Sequence, residues 1–232
     1  MMAPALWCVI PAAGRGARVG GDCPKQYLPL AGQPMIQHTL ERLAAHPRIA
    51  GLLVTLGADD RRWPGYRTIN GKPVRLAVGG AQRSDSVLAG VEALPDTVSA
   101  DAFVLVHDAA RPCVRLADID RLIEAAGALD GGLLGAPLRD TLKRADAASR
   151  SELTEPRDHR WRAFTPQMFR RGQLAAALRD ATRRGVQVSD EAMAMEQAGF
   201  APLLVEGAED NIKVTTAADF ALAEFLLGRT AG

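Results

Sequence analysis

The chain has 232 residues, with 28 lysines and arginines against 27 aspartates and glutamates. A net charge of +1 argues against a protein that binds nucleic acid through a strongly basic surface. The sequence has no apolar run of about 18 residues, the length of a membrane span, and its start lacks the basic segment of a secretory signal. The cysteines Cys8, Cys23 and Cys113 lack metal-ligand spacing. We therefore expect one cytoplasmic domain over 1–232 that binds neither nucleic acid nor membrane.

Apolar runs and helical patterns alternate along the chain. In chain order they predict strand Leu6–Ile10, helix Pro34–Ala45, strands Gly51–Leu56 and Val74–Val78, helix Ser84–Leu94, strand Phe103–Val106, helix Leu116–Leu129, strand Leu133–Pro137, helices Leu174–Arg184 and Glu191–Ala198, strand Pro202–Val205 and helix Ala217–Leu227. Continuous apolar strands separated by helices predict a Rossmann-like α/β fold, with a mostly parallel sheet covered by helices on both faces. Ligands of such sheets bind beyond the carboxyl ends of the strands.

Residues 138–160 depart from this pattern because they are mostly polar. Segments Arg139–Arg144 and Ser151–Glu155 predict a hairpin arm. An isolated two-stranded hairpin is marginally stable in water, so it needs a surface to lie against. We expect that surface to be a second subunit, which predicts a homodimer; a mobile surface loop is the alternative.

A glycine-rich stretch, "PAAGRGARVGGDCPKQY", follows the first strand. Backbone N–H groups in such a turn can hold anionic oxygens. The stretch lacks the Walker A pattern, and Val19 replaces the third glycine of the dinucleotide-binding pattern. Arg15, Arg18 and Lys25 add the positive charge that phosphoryl or nucleotidyl transfer requires. The stretch therefore predicts a site for a triphosphate that is cleaved, with solvated surface charges as the alternative.

The segment "VLVHDAARP" places Asp108 just beyond a predicted strand. A carboxylate there can hold Mg²⁺ against phosphate oxygens, or it can cap the following turn. We interpret His107 as a hydrogen-bonding support and Arg111 as a partner of Asp108 or of phosphate.

The segment "GGAQRSDSV" combines a glycine pair with hydroxyl groups at a predicted helix start. Its backbone groups and the hydroxyls of Ser84 and Ser86 can contact a nucleotide base. The alternative is a plain helix cap supplied by Ser84 or Asp85.

These motifs follow one another in the order and spacing of a known family. "PAAGRGARVGGDCPKQYLPLAGQP", "GGAQRSDSVLAG", "VLVHDAARP", "PLRDTLKR", "FTPQMF", "SDEAMAMEQAG" and "DNIKVTTAADFALAE" resemble the 2-C-methyl-D-erythritol 4-phosphate cytidylyltransferases over about residues 7–227. The resemblance implies that CTP and methylerythritol phosphate react, with Mg²⁺ as cofactor, to give a CDP-alcohol and pyrophosphate.

The resemblance also implies a set of site residues. The catalytic residues would be Arg18 and Lys25 on the nucleotide side, with Lys213 and Arg157 on the acceptor side. The nucleotide would contact Ala12, Ala13, Gly14, Gly16, Gly80, Ser86 and Asp108, with Asp108 also as the metal ligand. The acceptor would contact Arg111, Thr141, Arg157, Thr165 and Lys213, where Arg157 serves its own or the neighbouring subunit.

Two positions depart from the family pattern. Ala81 stands where many relatives carry an acidic or polar residue, and Ser189 replaces a common threonine while keeping the hydroxyl. A ribitol 5-phosphate cytidylyltransferase is the alternative within the same chemistry. A nucleotide-binding regulator without turnover is a further alternative, which the joint presence of Arg18, Lys25, Asp108 and Lys213 disfavours.

Overall fold

The structure is a computed structural model that describes residues 5–14 and 23–229. The strands within these residues are β1 (Leu6–Pro11), β2 (Pro29–Leu30), β3 (Gln33–Pro34), β4 (Ile49–Leu56), β5 (Thr68–Ile69), β6 (Lys72–Val78), β7 (Phe103–Val106), β8 (Gly132–Pro137), β9 (Leu142–Ala145), β10 (Ser151–Glu155), β11 (Trp161–Arg170) and β12 (Leu203–Glu206). The α-helices are α1 (Met35–Ala45), α2 (Arg83–Glu92), α3 (Leu116–Ala126), α4 (Arg171–Arg183), α5 (Glu191–Gln197) and α6 (Ala217–Arg229). Within the same residues no helix combines the length and apolar character that a membrane span requires.

Eight strands form one sheet in the order β12-β8-β11-β7-β1-β4-β6-β5. The pairs β1–β4, β1–β7, β4–β6 and β8–β12 are parallel. Strand β11 is antiparallel to both β7 and β8, so β7 and β8 run in the same direction. Only β11 and β5 oppose the other strands of this sheet, which confirms the predicted mostly parallel sheet.

Helices cover both faces of the sheet, as the continuous apolar strands predict. Along β1 the side chains of Cys8 and Ile10 pack with α1 and α3, whereas those of Trp7 and Val9 pack with α2, α4 and α5. Each fully buried aliphatic side chain of this kind stabilises the fold by about 1.5–3 kcal/mol relative to an exposed one. These two apolar layers hold β7, β1, β4 and β6 side by side in this order, so their carboxyl ends lie along one edge of the sheet.

Strand β11 is an element that the sequence pattern did not predict, although it lies inside the sheet. Proline lacks the N–H that a ladder requires, so a proline such as Pro166 is unusual in a central strand. The structure places Pro166, after a cis peptide bond, where the register with β8 is interrupted between Ala163 and Gln167. Strand β11 can therefore pair on both sides of the proline, and it carries Thr165 close to Asp108, which follows β7.

Smaller differences concern the ends of elements. The predicted helix Leu116–Leu129 ends at Ala126, and the short strands β2, β3 and β5 were not predicted. The other predicted boundaries either match those observed or differ by one to three residues, as is usual for frayed element ends.

The polar segment 138–160 contains the predicted hairpin. Strands β9 and β10 pair in antiparallel fashion, and the first strand begins at Leu142 rather than at Arg139. Leu142 and Leu153 are each 37% exposed. A single chain therefore leaves this arm largely uncovered, and its contact with a second subunit stays a prediction.

Candidate active site

A cavity lies at the edge of the sheet, lined by residues that follow the carboxyl ends of β1, β6 and β7. Its lining includes Ala12, Ala13 and Gly14 after β1, Gly80, Ala81 and Ser86 around the start of α2, and Asp108 after β7, together with Lys25 and Lys213. The described part of the predicted nucleotide site is therefore assembled in one place. Gly16 and Arg18, which complete the predicted set, lie outside the described residues.

A second cavity adjoins the first. It is lined by Arg111, Thr165 and Ser189 among others, and it shares Arg83, Asp108 and Lys213 with the first cavity. Of the predicted acceptor residues, Arg111, Thr165 and Lys213 therefore lie together. Two ligands in these cavities would meet at the ion pair of Asp108 and Lys213.

The Asp108 carboxylate is the centre of the charges at this junction. Its Oδ1 accepts from Nε of Arg83 at 2.9 Å, and its Oδ2 lies 2.9 Å from Nζ of Lys213 and 3.6 Å from Nε of Arg111. Burial raises the pKa of Asp108, but the charges of Arg83, Lys213 and Arg111 outweigh burial and hold this pKa well below its ordinary value. Asp108 therefore stays ionised and fixes three cations around it.

The same contacts bear on the prediction that Asp108 ligates Mg²⁺. Each carboxylate oxygen already faces at least one cationic side chain, whereas a metal ligand should offer uncompensated negative charge. The arrangement fits a counterion better than a direct Mg²⁺ ligand.

Hydrogen bonds from β11 hold the segment that carries Asp108. The backbone N–H of Asp108 donates to Oγ1 of Thr165 at 3.0 Å. His107 is fully buried, with Nε2 3.0 Å from the carbonyl oxygen of Arg111 and Nδ1 3.1 Å from Oγ1 of Thr165. A carbonyl only accepts, so Nε2 carries the proton and the Thr165 hydroxyl donates to Nδ1. His107 is thus the hydrogen-bonding support that its position predicted.

We expect the stability of the protein to decrease in acid partly because of His107. Burial lowers the pKa of His107 from 6.5 to about 4, so between these values the unfolded chain binds a proton that the folded chain does not. The free energy of unfolding should therefore fall by about 3 kcal/mol from this group as the pH decreases from 6.5 to 4. Urea unfolding of the wild type and of His107→Gln measures this contribution. An equal dependence on pH in both proteins would assign the loss to other groups.

Lys25 is anchored at the first cavity by a contact between distant segments. It begins a 3₁₀ turn, Lys25–Tyr27, and its Nζ donates to the carbonyl oxygen of Val214 at 2.7 Å. Gln26 next to it donates from Nε2 to the carbonyl oxygen of Ala12 at 2.8 Å. These bonds bring Lys25 and Lys213 to the same cleft from opposite ends of the chain.

The glycine pair before α2 is required by close packing. A Cβ on Gly79 would lie 2.6 Å from Cβ of Ala13, and one on Gly80 would lie 2.3 Å from Cβ of Asp85. The backbone N–H of Gly80 donates to Oγ of Ser86 at 3.2 Å. The backbone of Gly79 and Gly80 can therefore lie close to its neighbours at the first cavity. The N-terminus of α2 lies at the same place and favours an anionic ligand.

The residue that caps the N-terminus of α2 is not one of the two that the sequence suggested. The N-cap residue is Gln82 rather than Ser84 or Asp85. The backbone N–H of Gln82 donates to Oδ2 of Asp85 at 3.0 Å. Asp85 thus supports the helix start from the third helical position.

Comparison with known proteins places the chain in a family. The sequence model of the 2-C-methyl-D-erythritol 4-phosphate cytidylyltransferases matches residues 6–229. The chain belongs to this family. Similar relatives carry the same name: one from Stenotrophomonas maltophilia (strain K279a) is 58% identical over 233 residues, covering 100% of each chain. One from Xanthomonas oryzae pv. oryzae (strain PXO99A) is 58% identical over 228 residues, covering 98% of this chain and 84% of the relative.

Solved structures of cytidylyltransferases have the same fold. The crystal structure of a 4-diphosphocytidyl-2C-methyl-D-erythritol synthase has a TM-score of 0.84 at 33% identity, covering 97% of this chain and 100% of that chain. The 2-C-methyl-D-erythritol 4-phosphate cytidylyltransferase of Francisella tularensis has a TM-score of 0.83 at 31% identity, covering 96% and 99%. The fold and the family predicted from the motifs are confirmed.

Two predicted residues of the cytidylyltransferase site lie away from the cleft in a single chain. Thr141 and Arg157 are exposed at the base of the arm, and Nη1 of Arg157 donates to the carbonyl oxygen of Arg139. As far as the described residues define the two cavities, neither side chain lines them. Their contact with the acceptor stays a prediction.

Two charged residues of the cleft were not singled out from the sequence. Arg83 lines both cavities, and Glu191, which is 1% exposed, binds the Arg83 guanidinium. One signal for Arg83 was available: a cation at the first position of a helix opposes the helix dipole. Glu191 lies at the start of α5, where an acidic residue is ordinary, so its sequence carried no such signal.

Proposed function

We propose that this protein transfers CMP from CTP to the phosphate of 2-C-methyl-D-erythritol 4-phosphate. The products are 4-diphosphocytidyl-2-C-methyl-D-erythritol, an isoprenoid precursor, and pyrophosphate. The observation that carries the proposal is the pair of adjoining cavities that meet at Asp108 and Lys213, in a chain of this family.

The reaction is an in-line displacement at phosphorus. An oxygen of the acceptor phosphate forms a bond to the α-phosphorus of CTP, and the bond from that phosphorus to the bridging oxygen of pyrophosphate breaks. The attacking oxygen is already ionised at neutral pH, so the step needs no general base. Its main obstacle is the repulsion between two anions, which cationic side chains offset.

We assign this role to Lys25 and Lys213, which both line the first cavity. Lys25 lines only the first of the two cavities, and we assign it to the α-phosphate and the leaving group. Lys213 lines both cavities, and we assign it to the attacking phosphate. Holding both reactants in this geometry also removes much of the entropic cost of a bimolecular step. Arg18 joins Lys25 in this role by family resemblance.

The nucleotide and acceptor sites differ in how they would recognise their ligands. Gly80 and Ala81 offer backbone groups rather than functional side chains, so we assign base recognition here to the main chain and to Ser86. Arg111 and Thr165 line the second cavity, where we place the acceptor.

Three further parts of the proposal come from the family resemblance and the sequence. We place Mg²⁺ on the phosphates of CTP, since Asp108 is already paired with cations, and no step above depends on the ion. We place the protein in the cytoplasm. We also propose a homodimer joined through the exposed arm of β9 and β10.

The choice of acceptor tests this function. Pyrophosphate release from CTP should be fast with 2-C-methyl-D-erythritol 4-phosphate and negligible with ribitol 5-phosphate. Preference for ribitol 5-phosphate would mean that the protein catalyses the same kind of transfer, but to a different acceptor than the one proposed. Release with neither acceptor, by a folded protein whose melting temperature still rises with CTP, would favour a regulator.

Mixed dimers test whether the arm completes a neighbouring site. Arg157→Ala should weaken use of the acceptor more than binding of CTP, because Arg157 lies in the arm region and outside the nucleotide cavity. If the arm crosses over, mixing Arg157→Ala with Lys25→Ala chains should restore part of the activity, since one site in each mixed dimer is intact. Absence of recovery in verified mixed dimers would place Arg157 in the site of its own chain or outside both.

A further inference from the structure

Arg83 joins two buried carboxylates at the boundary between the cavities. Its Nε donates to Oδ1 of Asp108 at 2.9 Å, and its Nη1 and Nη2 donate to Oε1 and Oε2 of Glu191 at 2.5 and 3.1 Å. Three of the five N–H donors of the guanidinium are therefore used on two different elements, the end of β7 and the start of α5. Such a forked contact fixes both the position and the plane of the guanidinium.

Stability alone is a poor reason for this arrangement. Arg83 is the first residue of α2, where the helix dipole disfavours a cation. Glu191 is 1% exposed, and the desolvation of a buried ion pair cancels much of its Coulomb attraction. The pair also lies in the wall that separates the proposed nucleotide and acceptor cavities, since Arg83 lines both. A position between the two reactants indicates a part in their alignment.

We infer that Arg83 is a positioning residue, which Glu191 holds in place and which fixes the Asp108 carboxylate and, through it, the ammonium group of Lys213 at the junction of the cavities. This inference rests on the proposed function, because Lys213 is the residue assigned to the attacking phosphate.

The contacts explain why Lys213 needs this support. Its side chain is 42% exposed, and its ammonium group lies 2.9 Å from Oδ2 of Asp108. The other oxygen of the same carboxylate is held by Arg83 at 2.9 Å. Loss of Arg83 would let the carboxylate rotate, and Lys213 would move with it. The acceptor would then lose alignment, and a displacement of about 1 Å can cost about 100-fold in rate.

A double-mutant cycle tests the inference by following pyrophosphate release. Arg83→Gln should lower kcat/KM for the acceptor by about 100-fold in the wild-type background. In a Lys213→Gln background the same substitution should cost less than about threefold, because its effect passes through Lys213. A purely structural defect, or a direct contact of Arg83 with substrate, would cost about the same in both backgrounds, and that result would overturn the inference.

One further variant guards against a folding defect, and another tests the forked contact itself. Arg83→Gln combined with Glu191→Gln removes both charges, so no buried carboxylate is left unpaired, and it should show the same loss in a folded protein. Arg83→Lys keeps the charge but cannot span both carboxylates, so it should lose activity as Arg83→Gln does. Wild-type activity in Arg83→Lys would contradict the role of the forked contact with Asp108 and Glu191. Arg179→Gln, which removes a surface pair with Glu92, is the control and should leave the rate unchanged.

The experiment separates this inference from the proposed function. A wild-type protein that releases no pyrophosphate would overturn both. An active wild type with equal Arg83→Gln effects in the two backgrounds would overturn the positioning role alone.

Discussion

Replacing Lys25 with alanine is expected to lower the kcat of pyrophosphate release by about 100- to 1,000-fold. The ammonium group of Lys25 lies at the first cavity, anchored 2.7 Å from the carbonyl oxygen of Val214. Negative charge grows on the α-phosphate and on the leaving pyrophosphate during the reaction, so a cation fixed there acts more strongly on the transition state than on bound CTP. The fall in kcat should therefore exceed any rise in the KM for CTP.

A second lysine provides a matched control for Lys25. Lys72 also donates from Nζ to a backbone carbonyl, that of His46, but it begins β6 and so lies at the opposite edge of the sheet. Lys72→Ala should keep kcat within about twofold of the wild type, the range of substitutions outside the site. A wild-type kcat in Lys25→Ala would show that Lys25 does not stabilise the transition state and that other cations do.

Replacing Asp108 with asparagine should damage both activity and stability. The substitution removes the negative charge that faces Arg83, Arg111 and Lys213 while keeping the size of the side chain. Breaking a buried ion pair by removing one partner costs about 3–5 kcal/mol, because the other charge is left uncompensated. We expect a loss of this size in the free energy of unfolding and a fall of about 100-fold in kcat/KM, since the cleft loses its alignment.

Urea unfolding and steady-state kinetics of Asp108→Asn measure the two effects side by side. Asp180→Asn is a suitable control, because Asp180 forms surface ion pairs with Arg183 and Arg184. Surface pairs of this kind contribute about 0–1 kcal/mol. An Asp108→Asn protein as stable and as active as the wild type would show that the three cations do not depend on this carboxylate.

The sequence predicted those parts of the fold whose side chains form continuous apolar runs. Strand Phe103–Val106 was predicted to the residue because its four large apolar side chains lie between the small Ala102 and the polar His107. Strand β11 was missed because Pro166 and Gln167 interrupt its apolar run. In the structure Gln167 is 1% exposed, and its Nε2 donates to Oδ2 of Asp190 while its Oε1 accepts from the backbone N–H of Ala192. These partners come from another element, so periodicity could not reveal them.

The candidate site was likewise predicted only in part. Asp108 was predicted because it follows a strand within a recognisable motif, whereas Lys213 was predicted from the family resemblance. The structure places the two side chains 2.9 Å apart. The pairing of Arg83 with Glu191 was not predicted, because the two residues are 108 positions apart and no local pattern links them. The predicted contribution of the arm depends on a second subunit, so the fold of one chain leaves it a prediction.

Phosphorus NMR of a mixture of CTP, Mg²⁺, 2-C-methyl-D-erythritol 4-phosphate and the protein tests the central claim most directly. Attack of the acceptor phosphate on the α-phosphorus predicts two coupled signals from a new diphosphate, which appear together with the signal of pyrophosphate. Formation of CMP and pyrophosphate without the new diphosphate would mean that water is the acceptor. That result would contradict the transfer of CMP to the phosphorylated alcohol.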